Sequence, residues 1–262
     1  MSKNPPTNYN AFLKEIRDKF SSPEFVIGVT SVKGGVGKST ITAMLATALA
    51  DEGKNVGILD IDITGSSTAA LLGVKESPIV SDASIIPPAS SKGIKIVGMS
   101  LLVGSEKAIL WRGPLVSKAV LEMAQLVDFS DRDTIIVDFP PGTSDIPITA
   151  YQALPLTGII LITTPQIIAI DIVKKAQDIS NLLGINIIGI IENMSYYECP
   201  QCGLRTWPFG KRRRDEIEVM LNAPLLAEVP ISEEISRLGD AGRIEEIGSK
   251  YMKNLAKRLL EK

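Results

Sequence analysis

The sequence of 262 residues contains no histidine and only two cysteines. Without histidine, the chain has no Ser-His-Asp or Cys-His catalytic group, and imidazole ligands for zinc are excluded as well. Any catalytic chemistry is therefore left to carboxylates, lysines and bound metal ions. The formal net charge is only −2, so the sequence predicts neither a nucleic-acid partner nor strong attraction to an anionic membrane.

Long hydrophobic runs are absent too. The longest apolar segment, Gly158 to Ile170, is interrupted at Thr163-Thr164-Pro165, and it falls short of the roughly 18 residues that cross a bilayer. The N-terminus is polar and lacks the charged and then apolar pattern of a signal peptide. We therefore expect a cytoplasmic protein with no membrane partner, whose thiols are reduced unless the host is a hyperthermophile.

The chain does contain a steady alternation of short apolar strands and helical stretches. This alternation predicts an α/β fold with a three-layer, doubly wound and mostly parallel sheet. We expect an N-terminal arm with a short helix over residues 1–22 and one larger domain over 23–262, with a loop and a short hairpin at 74–93. The predicted strands are 25–30, 55–59, 94–97, 134–138, 158–162, 185–191 and 225–229, and the predicted helices are 11–20, 41–50, 115–127, 168–183 and 244–260.

One glycine-rich stretch, VKGGVGKST at 32–40, lies between the first of these strands and the helix after it. Strand, glycine-rich turn and helix are the context of a phosphate-binding P-loop, although Val32 replaces the first glycine of the usual G-x-x-x-x-G-K-S/T pattern. Glycine lets backbone N–H groups approach phosphate oxygens, and the helix N-terminus adds a partial positive charge. The predicted nucleotide contacts are Gly34, Gly35, Val36, Gly37, Lys38, Ser39 and Thr40.

Three of these side chains have specific expected roles with ATP. Lys38 is placed to reach the β- and γ-phosphates, the Ser39 hydroxyl to bind Mg²⁺, and Thr40 to contact the α-phosphate.

Carboxylates follow two of the predicted strands: Asp60 and Asp62 after 55–59, and Asp138 at the end of 134–138. Doubly wound sheets bind ligands at the carboxyl ends of their strands, and an Asp ending a buried strand is a Walker B pattern. ATP hydrolysis needs a group that orients water, and with histidine absent Asp62 is the predicted residue for this role. Lys38, which reaches the phosphates, is a second predicted catalytic residue. Asp60 and Asp138 are expected in the outer shell of the metal, although Asp60 or Asp62 could instead simply end a strand.

Two further residues are candidate nucleotide contacts. Gly142 follows a rigid Pro140-Pro141 turn, and its N–H is expected to sense the γ-phosphate. Asn193 follows the strand 185–191 and is expected to present its amide to the nucleobase edge, although an Asn in a loop is usually a turn residue.

The only two cysteines form a C-x-x-C motif, Cys199-Pro200-Gln201-Cys202. The spacing places two thiolates within reach of one metal ion, but two thiolates complete neither a tetrahedral zinc site nor a four-cysteine iron–sulfur site. Two chains together supply four. From the residues alone, zinc, an iron–sulfur cluster and a disulfide remain open.

The second lysine of the glycine-rich loop, Lys33, makes the loop resemble the deviant Walker A motif of the MinD, ParA, ArsA and nitrogenase iron-protein superfamily. In that superfamily the first lysine reaches across a two-fold interface to the partner's phosphates. The resemblance implies a P-loop NTPase of this type, a nucleotide-sandwich dimer and a catalytic role for Lys33.

Seven motifs between about Phe25 and Gly242 together resemble the Mrp/ApbC family of P-loop ATPases, the bacterial and archaeal iron–sulfur cluster carriers. They are KGGVGKST at 33–40, DIDI at 60–63, WRGP at 111–114, DFPPGTSD at 138–145, TTPQ at 163–166, and ENMS at 192–195 followed by CPQCG at 199–203.

The resemblance implies a homodimer that binds a [4Fe–4S] cluster between its subunits and passes it to apo-proteins, with ATP binding and hydrolysis coupled to that work. Cys199 and Cys202 match the bridging metal ligands, and Asn193 matches a base contact. The chain departs from the family at 63–67, where ITGSS replaces the usual Ile-Tyr-Gly-Pro-Ser. It departs again at 211–214, where KRRR replaces an often Gly-rich stretch and is a candidate client contact.

A different class of function is a spatial organiser like MinD or ParA. That class needs a DNA-binding or membrane-binding surface, so the near-neutral charge and the CPQCG motif argue against it. A third class is a MinD- or ParA-like ATPase switch with a structural zinc at the C-x-x-C and no cluster to transfer, which metal analysis of protein purified without air would reveal.

Overall fold

The computed structural model describes residues 7–31, 33–63, 65–103, 113–142, 145–167, 184–210, 215, 218–219 and 222–261. Within these ranges the strands are β1 (Phe25–Thr30), β2 (Val56–Asp60), β3 (Ile79–Val80), β4 (Ile85–Ile86), β5 (Lys95–Gly98), β6 (Thr134–Asp138), β7 (Gly158–Thr163), β8 (Ile187–Glu192), β9 (Tyr197–Glu198), β10 (Arg205–Thr206) and β11 (Leu225–Glu228). The α-helices are α1 (Thr7–Lys19), α2 (Lys38–Asp51), α3 (Thr68–Leu71), α4 (Met99–Val103), α5 (Gly113–Leu126), α6 (Asp145–Ala153), α7 (Glu233–Asp240) and α8 (Gly248–Leu260).

Seven of the strands form one sheet in the spatial order β11-β8-β7-β1-β6-β2-β5. Every pairing in this sheet is parallel. The first strand therefore lies in the middle, and the chain adds strands on both of its sides. This is the predicted doubly wound order, and it places the binding crevice at the carboxyl end of β1.

The sheet is the middle of three layers. All residues of β2, β6 and β7 are buried, because near-continuous runs of apolar residues suit strands that are covered on both faces. One face packs against apolar residues of α1, α5 and α6, and the other against apolar residues of α2 and α8. No helix within the described ranges is both long and apolar enough to cross a bilayer.

The predicted strands match the observed ones to within two residues, and the short hairpin expected between 74 and 93 is β3–β4. Two helix predictions are wrong in their bounds. The first helix begins at Thr7 instead of residue 11, because Tyr9 packs against the core and extends the helix by one turn. The last helix is divided into a 3-10 turn, Ile244–Glu246, and α8.

Several sequence predictions lie outside the described residues. They are the helix 168–183, the basic cluster 211–214, Val32, the Trp111-Arg112 half of the WRGP motif, and Thr143-Ser144.

The helix that follows the glycine-rich loop is fixed from behind by α8. At Gly248, the first residue of α8, a Cβ atom would lie 2.6 Å from Cβ of Thr47 and 3.0 Å from the carbonyl oxygen of Met44. The backbone of α8 can approach α2 this closely only because residue 248 has no side chain. Gly248 therefore sets how tightly the P-loop helix is held against the rest of the fold.

We predict that Gly248→Ala lowers the free energy of unfolding by about 1–3 kcal/mol, because the added methyl group overpacks a contact that cannot widen without moving α8. Asn254→Ala is the matched control, since it adds alanine to the exposed side of the same helix and should change stability by less than about 0.5 kcal/mol. Urea unfolding of both variants measures the difference. Equal stability of the two variants would contradict the close-packing account.

Candidate functional site

The loop after β1 wraps around a cavity of about 320 Å³. Gly35 and Gly37 have φ of 79° and 81°, the left-handed region in which glycine is favoured. The helix α2 begins directly after them at Lys38, so its unpaired first N–H groups lie at the cavity wall. The cavity is lined by Ser31, Gly34, Gly35, Val36, Gly37, Lys38, Ser39, Thr40, Asp62, Gly65, Ser67 and Pro141.

The Walker B carboxylate, Asp138, is completely buried and accepts four side-chain hydrogen bonds. Its Oδ1 accepts from Lys38 Nζ at 2.7 Å and from Thr42 Oγ1 at 3.1 Å. Its Oδ2 accepts from Ser39 Oγ at 2.7 Å and from Thr68 Oγ1 at 3.1 Å. A buried charge is stable only when it is paired and hydrogen-bonded, and these four donors satisfy both oxygens.

A second buried carboxylate, Asp60, is the register partner of Asp138 on the neighbouring strand. Its Oδ1 accepts the backbone N–H of Asp62 at 3.1 Å, and its Oδ2 accepts from Ser66 Oγ at 2.9 Å. Ser66 lies in the ITGSS stretch at 63–67, and its hydroxyl supplies one of the two hydrogen bonds to Asp60. Burial, followed by the negative charge of Asp138, raises the pKa of Asp60 to about 7.

Asp62, the predicted catalytic residue, lies at the cavity wall. Its Oδ2 is 3.4 Å from Lys38 Nζ, so Lys38 is shared between Asp62 and Asp138. The exposed Lys33 makes no ion pair within the part of the chain that the structure describes, and its carbonyl accepts from Ser31 Oγ at 2.9 Å. Its cross-subunit role stays a prediction.

Two expected nucleotide contacts are engaged elsewhere in this conformation. The N–H of Gly142 was expected to be available to the γ-phosphate, but it donates to the carbonyl of Ser31 at 2.9 Å, because the turn folds it back under the end of β1. The Asn193 amide, expected at the nucleobase, is buried and donates from Nδ2 to the Val36 carbonyl at 2.8 Å. Asn193 therefore holds the P-loop backbone, and its base contact remains a prediction.

Three residues of the site were missed by sequence reasoning: Thr42, Ser66 and Thr68. Thr42 lies one helical turn after Lys38 and so on the same face of α2, a spacing that could have identified it. No sequence pattern links Ser66 or Thr68 to the carboxylates, since only the fold of the loop after β2 brings them there.

The two cysteines lie in the short hairpin β9–β10, outside the cavity. Cys199 donates its backbone N–H to the Leu204 carbonyl at 3.0 Å, and its own carbonyl accepts from the N–H of Gly203 at 2.8 Å. Both thiols are free, with Cys199 partly exposed and Cys202 exposed. Backbone N–H groups of Cys202 and Gln201 and the Cys202 thiol donate to Cys199 and lower the pKa of its thiol.

The hairpin alone does not complete a metal site. No group of three or more His, Cys, Asp or Glu side chains that could hold a metal ion occurs among the described residues. The pair offers two free thiols, and their role as metal ligands stays a prediction.

Comparison with known proteins assigns the family. The sequence profile ParA, described as NUBPL iron-transfer P-loop NTPase, matches residues 23–261. The chain belongs to this family. It is 38% identical over 230 residues to a protein from Clostridium perfringens named iron-sulfur cluster carrier protein, covering 84% of this chain and 81% of that one. The resemblance inferred from the motifs is thereby confirmed.

Solved structures agree with this assignment. A nucleotide-binding protein from Archaeoglobus fulgidus, described as in complex with ADP and with Co found by PIXE, aligns with a TM-score of 0.79 and 35% identity over 89% of this chain and 93% of that chain. The MinD cell division protein of Aquifex aeolicus aligns with a TM-score of 0.64 over 91% of this chain and 98% of that one, at 19% identity. At that identity the MinD alignment establishes the fold alone, and it confirms the predicted MinD-like P-loop NTPase fold.

The raised pKa of Asp60 predicts a pH-dependent cost to stability. Between about pH 4 and 7 the folded protein holds a proton on Asp60 that the unfolded chain releases, so this group makes the protein less stable as pH rises. Asp60→Asn removes the cost. The measurement is made in metal-free and nucleotide-free buffer. We predict that the stability of the variant relative to wild type rises by on the order of 2–3 kcal/mol between pH 5 and pH 8, because each pH unit below the folded pKa contributes about 1.4 kcal/mol.

Urea unfolding at the two pH values measures this gain. Asp82→Asn, which removes an exposed carboxylate, is the control for the loss of one charge. A difference between Asp60→Asn and wild type that is the same at pH 5 and pH 8 would show that Asp60 is not the group responsible.

Proposed function

We propose that this protein is an ATP-dependent carrier that binds a [4Fe–4S] cluster between two copies of the chain, transfers it to apo-proteins and hydrolyses ATP. The observation that carries the proposal is the exposed Cys199–Cys202 hairpin on a chain of the iron-transfer P-loop NTPase family. The printed name of the Clostridium relative, iron-sulfur cluster carrier protein, points in the same direction.

The cavity beside the P-loop suits the phosphates of ATP. Its wall combines loop N–H groups, the N-terminus of α2 and the ammonium group of Lys38, which together form an anion site. The Archaeoglobus protein of similar structure is described with ADP. We infer that ATP binds here, with Gly34 to Thr40 around its phosphates.

The oxygen groups at the base of this cavity fit Mg²⁺. Ser39 and Asp138 present a hydroxyl and a carboxylate 2.7 Å apart, and Asp60 adds a second buried carboxylate on the adjacent strand. Hard oxygen ligands of this kind are what Mg²⁺ prefers. When bound, Mg²⁺ supplies charge neutralisation on the phosphates. Ser39 is its proposed direct ligand, and Asp60 and Asp138 lie in its outer shell.

Hydrolysis forms a bond between a water oxygen and the γ-phosphorus and breaks the bond from that phosphorus to the ADP oxygen. Asp62 faces the cavity close to Lys38, where its carboxylate can accept a hydrogen bond from the attacking water and orient it. Lys38 neutralises charge on the transferred phosphoryl group. Lys33, exposed at the rim of the loop, is the proposed contact to the partner's nucleotide.

The number of thiolate ligands indicates how the cluster site is formed. A [4Fe–4S] cluster takes four thiolates, and each chain offers two. The lowered pKa of Cys199 favours the thiolate, which is the form that binds iron. A homodimer joined at the two hairpins supplies the full set, and the exposure of Cys202 leaves the cluster accessible to an acceptor protein.

Anaerobic reconstitution with iron and sulfide tests the proposal. We predict about four irons and four sulfides per dimer, with none retained by the Cys199→Ser/Cys202→Ser variant. Protein that takes up no iron but retains zinc at these cysteines would contradict the carrier function and leave a nucleotide-dependent switch.

The nucleotide and cluster sites should be separable. Lys38→Ala is expected to abolish nucleotide binding or hydrolysis, because it removes the cation at the phosphates, and to leave the iron content unchanged. Lys54→Ala is the matched control, since that lysine lies just before β2, at the amino ends of the strands and away from the P-loop, where it pairs with Glu24. Calorimetric titration with ATP and iron analysis provide the two readouts. Loss of both activities in Lys38→Ala would show that the sites are not independent.

A further inference from the structure

The two faces of the cysteine hairpin differ in chemistry. Glu198 pairs with Arg205 across the hairpin, and Arg205 Nε donates to Glu198 Oε2 at 2.7 Å. The Arg205 guanidinium also lies 4.5 Å from the centre of the Tyr196 ring. These three side chains therefore share one face, and its two charges neutralise each other.

Side chains alternate between the faces of a strand, so the neighbours of this set occupy the other face. Tyr197 pairs with Thr206, and Cys199 is joined to Leu204 by its backbone N–H. This second face carries a thiol, a leucine, a tyrosine and a threonine, and no charge. We refer to Tyr197, Cys199, Leu204 and Thr206 as the thiol face.

Two apolar side chains of the thiol face are exposed. Leu204 is 64% exposed and Tyr197 is 40% exposed. Exposed apolar side chains grouped around a ligand pair mark a surface that another molecule covers. The described residues offer no third metal-binding side chain near the two thiols. The whole sequence has only two cysteines, so any further sulfur ligand must come from another chain.

A second copy of the chain satisfies both requirements. In a two-fold contact the same patch meets itself. A second copy would therefore bring its own Cys199 and the neighbouring Cys202 as two more sulfurs, together with the Leu204 and Tyr197 side chains of its thiol face. Because this face carries no charge, it meets itself without repulsion between like charges. The charged residues Glu198 and Arg205 point away from it and are already paired.

We propose that Leu204 and Tyr197 form an apolar rim which packs against the rim of the second copy and shields the shared cluster from water. This inference rests on the proposed function and adds the residues that determine how long the cluster is retained. Solvent access and the apolar surroundings of a metal centre control its stability. The rim contributes no ligand, so its loss should change retention and leave stoichiometry intact.

The test compares Leu204→Gln with two matched variants. Leu204→Met keeps an apolar side chain at the same place. Ile79→Gln removes an apolar side chain of similar exposure, 68%, from the separate hairpin β3–β4. Leu204 and Ile79 are both exposed, so the variants should fold, and unchanged ATP affinity verifies this.

Two readouts are measured for each variant. The first is dimerisation of the cluster-free protein with added Zn²⁺, which is measured by sedimentation. The second is the rate at which reconstituted protein loses iron to a chelator. We expect Leu204→Gln to weaken the zinc-linked dimer about tenfold and to lose iron several times faster, because an apolar contact is missing from each copy. Leu204→Met and Ile79→Gln should behave as wild type.

The outcomes separate this inference from the proposed function. In the first outcome, wild-type protein binds about four irons per dimer and Leu204→Gln equals Ile79→Gln in both readouts. This result overturns the proposal of an apolar rim and leaves the carrier function standing. In the second outcome, wild-type protein takes up no cluster but forms zinc-linked dimers, and Leu204→Gln weakens these dimers. This result overturns the carrier function and supports the apolar contact between the two copies. Wild-type protein that forms neither a cluster nor a zinc-linked dimer overturns both.

Discussion

The carboxylate of Asp138 connects the P-loop helix α2, the helix α3 and the central sheet at the carboxyl end of the strands. It ends the strand between β1 and β2, and it accepts hydrogen bonds from three residues of the P-loop helix and one of α3. A carboxylate buried at this depth would be unstable without these donors. Equally, Lys38 would be a buried, poorly paired cation without this carboxylate. Each group therefore depends on the other, and the loop geometry follows from the pair.

The same end of the sheet also links the P-loop to the cysteines. Asn193 is the first residue after β8. Its side-chain amide donates a hydrogen bond to the Val36 carbonyl, and its backbone N–H donates to the Thr163 carbonyl. Two residues further, Ser195 is anchored to Val229, and the cysteine hairpin follows directly. A movement of the P-loop on nucleotide binding would therefore act on the base of the hairpin through one short, hydrogen-bonded segment. Such a segment is a physical basis for the coupling that we propose between ATP and the cluster.

Much of this could be predicted from the sequence because its signals are local. Buried parallel strands are continuous apolar runs, and KGGVGKST and CPQCG are contiguous motifs. The missed features depend on distant contacts. Thr68 can donate to Asp138 only because the loop after β2 folds back towards β6. The N–H of Gly142 donates to the Ser31 carbonyl because the turn after β6 brings the two residues together. The start of α1 was misjudged because Tyr9 extends the helix through tertiary packing, which local propensity does not contain.

We propose that two chains share one cluster through four thiolates. Anaerobic native mass spectrometry of the reconstituted protein is the decisive measurement, because it reports the number of chains and the mass of bound iron and sulfide in the same ion. We expect ions that carry about four irons and four sulfides to contain two chains, and single chains to carry none. A full cluster on single-chain ions would show that the cluster is not shared.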